Sequence, residues 1–261
     1  MRRETRDLFY SIVPRENYLD FSVGETNLIL SAPHGGGMRP ITIPKRKWGN
    51  TKMDTYTRRI TKRLIELFDY KPYYVIADIH RSRVDLNRDL EEATQGNERV
   101  ENIWRQWHRI LSLYTNGISE LYGEGLHIDI HSHSTSNMFH VGYGLSDKSY
   151  ISLFNGSKYK DKSTLEHVIK KSKLRDAIFG MDSIGDVITE HGYKVFEPPM
   201  DGNYYNGGYN IETYGAKVEN KIASIQIEIP IRVAKIDFSG VCIAVFSAIQ
   251  RFKKYHIDKT L

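Results

Sequence analysis

Apolar runs alternate with amphipathic stretches along most of the chain. NLILSAP (27–33) is a continuous apolar run and predicts a buried strand, followed by a glycine-rich turn, HGGGMRP. From about Asp54 to Phe68, Ile60, Leu64 and Leu67 share one face with charges opposite, which predicts an amphipathic helix. YYVIADI (73–79) reads as a second strand, and Glu98 to Leu121 as a long helix carrying Ile103, Trp107, Ile110, Leu111 and Tyr114. LHIDI (126–130) is a third strand. A less regular region follows from Ser132 to Asn210, with helices expected near 164–171 and 182–190 and a tyrosine–glycine loop, DGNYYNGGYN. IASIQIEI (222–229) is strongly β-like and is closed by Pro230. A last helix from about Ser239 to Lys254 would pack through Val241, Ile243, Ala244, Phe246 and Ile249. Strands separated by helices predict an α/β fold with a mixed, largely parallel central sheet. With no internal repeat, low-complexity stretch or linker, one domain over 1–261 is expected.

Composition narrows the function classes. Cys242 is the single cysteine, which excludes an intramolecular disulfide and a thiolate-rich zinc site and suggests a reducing compartment. No apolar run approaches the ~20 residues of a bilayer span, and no apolar stretch follows the charges of MRRETRDLFY, so a cytoplasmic protein is expected. The net charge of +5 is scattered through RRETR, KRK, RRITKR and KKSK. That pattern fits a solvated surface or attraction of small anions better than a nucleic-acid groove.

Histidines at strand ends supply the candidate chemistry. His34 follows NLILSAP, and His131 follows HIDI; side chains at strand ends open into a cleft. In an extended segment His131, His133 and Asp129 point the same way, so Asp129 could orient an imidazole. DIHRSRVDLNRDL (78–90) is a dense polar cluster. Its Arg81, Arg83, Asn87 and Arg88 could grip an anionic substrate, or could form internal salt bridges with Asp78, Asp85 and Asp89. Glu228 shares a strand face with Gln226 inside IQIEIP. Either that sheet face is exposed, or Glu228 is a general base beside an activated water.

Together SAPHGG (31–36), MDTYTRRI, HRSRVDLNRD (80–89), HIDIHSHS (127–134), YNGGYNIETYG (205–215) and ASIQIEIP (223–230) resemble the N-formylglutamate amidohydrolase family, which is related to the zinc carboxypeptidases and aspartoacylases. The resemblance implies a phosphorylase/hydrolase-like, three-layer α/β fold holding one Zn2+ per chain at the strand ends. It implies His34 and His131 as ligands. The carboxypeptidases' ligand glutamate has no counterpart, because Gly37 stands there. Asp54 is then the candidate third ligand, with a helix N-terminal carboxylate as its alternative role. The resemblance further implies Glu228 as general base, Arg81 as oxyanion contact, Asn87 and Arg88 as carboxylate anchors, and Gly207, Gly208 and Tyr209 as pocket lining. Arg83 is a further candidate substrate contact, and His133 is a candidate substrate contact, proton shuttle or alternative ligand. The substrate would be a small carboxylate-bearing N-acyl amino acid. A carboxypeptidase-like peptidase acting on peptides or cell-wall fragments, and a non-catalytic anion- or nucleic-acid-binding relative, are the alternatives.

Overall fold

In the computed structural model, residues 18–170, 173–198, 204–215 and 221–258 are described. The N-terminal MRRETRDLFY segment and positions 201–203 of the tyrosine–glycine loop lie outside them. A six-stranded sheet runs in the order β1 (Leu19–Ser22), β3 (Tyr73–Ala77), β2 (Leu28–Ala32), β4 (Gly125–His133), β6 (Ile222–Pro230), β5 (His140–Gly142). The four inner strands are parallel and the two edges antiparallel.

Side-chain alternation along the strands builds a core on each face. Leu28, Leu30, Ile128 and Ile130 join Ile60 and Leu64 of α1 (Thr57–Leu67) and Val241, Val245 and Ile249 further on in one cluster. Ile29, Val75 and Ala77 face the other way, onto Trp107, Ile110, Leu111 and Tyr114. Helix helix-by-helix, the chain adds α2 (Leu90–Thr94), α3 (Glu98–Tyr122), α4 (Asp147–Phe154), α5 (Leu174–Phe179), α6 (Ile184–Glu190), α7 (Tyr209–Tyr214), α8 (Ile231–Ile236) and α9 (Phe238–Phe252). Helix α3 begins where the Asn97 side chain accepts from Val100 N and ends at Gly123, whose φ is 79°. With α3 on one face and α1 and α9 on the other, the layers are helix, sheet, helix.

Strand β2 lies between β3 and β4. The chain leaves β2 toward β3 over one face and returns to β4 over the other, so the loops at the carboxyl ends of β2 and β4 diverge. Such a switch point opens a crevice.

Several local expectations change. The helix expected near 164–171 is a run of turns over 164–168, because Ser163 and Thr164 hydroxyls donate to the carbonyls of Tyr143 and Ser224 and tie this segment to its neighbours. Helix α1 starts at Thr57, not Asp54, since Tyr56 adopts a left-handed φ of 73°. Ile243, expected on the packed face of the last helix, is 49% exposed. Glu228 does not lie on an exposed sheet face, for every residue of β6 is buried. Cys242 is a buried free thiol, its pKa pushed up to about 11 by burial. Among the described residues, no helix is long and apolar enough to cross a membrane.

Candidate metal centre and active site

The crevice gathers side chains from four strand ends. His34 lies two residues beyond β2, and its carbonyl accepts from Asp54 N at 3.1 Å, which folds the intervening loop back over the sheet. His131 and Glu228 sit opposite one another in the register of β4 and β6. Arg81, Asp85 and Asn87 occupy the segment after β3.

Asp54 Oδ2 is 3.3 Å from His34 Nδ1 and 3.0 Å from His131 Nδ1. The ligand atoms of these three buried residues all lie within 4.8 Å of one another. Vertices of a tetrahedral zinc site, with bonds near 2.0–2.1 Å, are roughly 3.3 Å apart. The second nitrogen of each imidazole faces a different carboxylate: His34 Nε2 is 2.6 Å from Asp85 Oδ1, and His131 Nε2 is 3.0 Å from Asp129 Oδ2. Two imidazoles, each held through one nitrogen and turned toward a shared carboxylate through the other, form a donor set that fits a divalent cation.

The carboxylates are stabilised unequally. Burial pushes Asp54 upward, but His34 and His131 outweigh it and hold its carboxyl far below the usual range. Asp85 is also held well below that range: burial opposes the charge, while His34, Arg81 and Arg46 favour it. Arg81 Nε donates to Asp85 Oδ2 at 2.8 Å and Arg81 Nη1 to Asp54 Oδ1 at 3.4 Å. Glu228 behaves oppositely. Burial, with Asp54 and Asp129 adding to it against His131 and Arg81, pushes its carboxyl up to about 7. Gln226 Nε2 donates to Glu228 Oε1 at 3.0 Å.

One cavity of about 620 Å³ opens onto this site. Of the residues singled out in the sequence, His34, Asp54, Arg81, Asn87, Arg88, His131, His133, Gly207 and Glu228 are in its wall, and Lys52, Tyr205 and Gln226 join them. The Arg88 side chain is half-exposed, with Nε 3.1 Å from Glu92 Oε1. Both ring nitrogens of His133 are engaged locally, Nδ1 with Thr135 Oγ1 at 2.8 Å and Nε2 with the Met138 carbonyl at 2.9 Å. Burial lowers its pKa.

Three of the expected substrate contacts are placed elsewhere. Arg83 turns away, donating to the Ile43 carbonyl at 2.8 Å and lining a separate depression of about 190 Å³. Tyr209 opens α7 and packs its ring near Trp104 and His108. Gly208 lies behind the pocket wall, where a Cβ would overlap Asn87 Nδ2; the missing side chain is what admits the Asn87 amide. The alternative salt-bridge reading of 78–90 holds for part of the cluster: Asp85 pairs with Arg81, Asp78 pairs with Arg58, and Asp89 caps α2.

Sequence reasoning missed Asp85 as the partner of His34, and it missed Ser31, His127 and Asn210 around Asp129. The available signal was His127, Asp129 and His131 at alternate positions of an apolar strand, three polar groups on one buried face.

No family model matches the chain, and no curated protein matches it significantly in sequence. Solved structures do. N-formylglutamate amidohydrolase from Ralstonia eutropha JMP134 superposes with a TM-score of 0.61 at 13% identity, over 92% of this chain and 98% of that one. A gene product of Agrobacterium tumefaciens gives 0.57 at 12% identity, over 90% and 94%. The chain thus shares its α/β fold, over nearly its whole length, with an amidohydrolase of the family that its motifs resemble.

Proposed function

We propose that the protein is a zinc-dependent amidohydrolase that cleaves the amide of a small carboxylate-bearing N-acyl amino acid. The observation that carries this reading is the presence, in one cavity, of the His34–Asp54–His131 donor set and a separate buried carboxylate, Glu228. His34, Asp54 and His131 would hold the ion. When bound, zinc would acidify a water molecule and polarise the amide carbonyl.

The chain's own residues do the remaining work. Glu228, buried in the cavity wall opposite His131, accepts a proton from the attacking water and later gives it to the leaving amine. Arg81 lines the cavity beside it and offers positive charge to the developing oxyanion. Asn87 and Arg88 anchor the substrate carboxylate, with Arg88 turning from Glu92 toward the ligand. N-formylglutamate is the first substrate to try, since the amidohydrolase with the same fold is named for it.

One observation favours a second reading. The cavity of about 620 Å³ falls among pockets that hold drug-sized ligands, ~300–1,000 Å³, so a larger acyl group or a short peptide would also fit. Zinc-loaded protein should be assayed on N-formylglutamate, other N-acyl amino acids and short peptides, with Glu228→Gln as control. Turnover of N-acyl amino acids that Glu228→Gln loses supports the proposal. Turnover of peptides alone selects the peptidase, and turnover undiminished in Glu228→Gln overturns the mechanism.

A further inference from the structure

Beneath the metal centre, and outside the cavity wall, lies a chain of buried polar groups whose hydrogen bonds can run in one direction only. Ser31 Oγ is 2.5 Å from Asp129 Oδ1 and 2.7 Å from His127 Nε2. A hydroxyl has one proton, and an ionised carboxylate can only accept. The Ser31 proton therefore lies on the Asp129 side, and His127 Nε2 must donate to Ser31 Oγ. His127 Nδ1 is then free of a proton and accepts from Ser224 Oγ at 3.2 Å. On its other oxygen Asp129 takes Asn210 Nδ2 at 3.1 Å and His131 Nε2 at 3.0 Å. Ser31, His127, Asp129 and Ser224 are all 0% exposed, so bulk solvent does not reach these bonds.

From this geometry we infer that Ser31 is a positioning residue: its hydroxyl, filled from behind by His127, fixes the Asp129 carboxylate, which holds His131 through Nε2 and so aims its Nδ1 at the place beside Asp54 where the ion would sit. The inference rests on the metal reading above. Without the Ser31 proton, Asp129 Oδ1 faces no donor among the described residues, and the carboxylate rotates more freely against the imidazole it holds. Ser31, His127 and Ser224 do not line the cavity, so none of them acts by touching substrate.

The direction of the chain makes the effects of substitution unequal. Ser31→Ala removes the proton that Asp129 accepts. His127→Leu removes a larger buried group but leaves that proton in place, since Asp129 Oδ1 still accepts it. A merely structural role orders the variants the other way, by the size of the buried group lost.

The test is zinc affinity by chelator competition, alongside thermal melting of the metal-free proteins, for wild type, Ser31→Ala, Ser31→Thr and His127→Leu. Ser31→Ala should weaken zinc by about tenfold, the low end of losses for groups that support a metal ligand, with a melting temperature close to wild type. Ser31→Thr restores the hydroxyl and should restore affinity. His127→Leu should bind zinc more tightly than Ser31→Ala even where it melts lower. Unchanged affinity in Ser31→Ala, or His127→Leu as the weaker binder, overturns the inference while leaving the metal site intact. A wild-type protein that takes up no zinc removes both, and that arm alone identifies this case.

Discussion

Substituting Glu228 by glutamine separates stability from turnover. The carboxylate is buried, and its pKa rises from 4.5 to about 7 in the fold. Between those values the folded chain holds a proton that the unfolded chain has released. Stability supplied by protonated Glu228 is therefore complete below pH 4.5 and is lost as pH rises through about 7. At ~1.4 kcal/mol per pKa unit, the loss is on the order of 3 kcal/mol. Glutamine carries no charge to desolvate, and its carbonyl can still accept from Gln226 Nε2. Metal-free Glu228→Gln should thus gain stability relative to wild type as pH climbs from 4 to 8, by up to about 3 kcal/mol. The same variant should lose a factor of about 10²–10⁴ in kcat, the usual contribution of a general base. Urea unfolding at several pH values and steady-state hydrolysis read the two effects. A stability difference that stays flat from pH 4 to 8 would refute the desolvated carboxylate, and undiminished kcat would refute its role.

Two other perturbations follow from the same geometry. Arg88→Ala removes a charged hydrogen-bond donor worth ~1.5–3 kcal/mol, so KM for carboxylate-bearing substrates should rise about 10- to 100-fold with kcat less affected; equal loss on substrates lacking the carboxylate would contradict the anchoring role. His108 is buried beside Tyr214, and burial, against the charge of Asp129, lowers its pKa to about 3. The unfolded chain binds a proton near the ordinary value of 6.5 that the fold refuses, so this stability is present above pH 6.5 and is lost as pH falls toward 3. His108→Gln should reduce the pH dependence of stability in this window by about one proton, or ~1.4 kcal/mol per pH unit; an unchanged slope would show that His108 is protonated in the fold.

The parts of this site legible in the sequence are those that local pattern dictates. His34, His131 and Glu228 end apolar runs, and strand ends in a parallel sheet converge on one crevice, so spacing alone brings them forward. Asp54 is different. Its carboxylate reaches the imidazoles because the loop from His34 folds back and Tyr56 turns left-handed before α1, a geometry that periodicity does not encode. Arg83 illustrates the opposite failure. A cluster such as RSRVDLNRD fixes which residues are near one another but not which way each side chain leaves an irregular segment, and Arg83 leaves toward Ile43. The short edge strands β1 and β5, of four and three residues, carry too few positions to show a period. The turns near 164 are set by hydrogen bonds to residues far off in sequence, which override a helical pattern.

Metal content tests the account most directly. Purified wild-type protein and His131→Ala should be analysed for bound metal after incubation with zinc and removal of the excess. Wild type should hold one zinc per chain and His131→Ala should lose it, because that substitution removes the nitrogen 3.0 Å from Asp54 Oδ2. Wild type without metal after zinc is supplied, or His131→Ala with a full complement, would contradict a centre built on His34, Asp54 and His131.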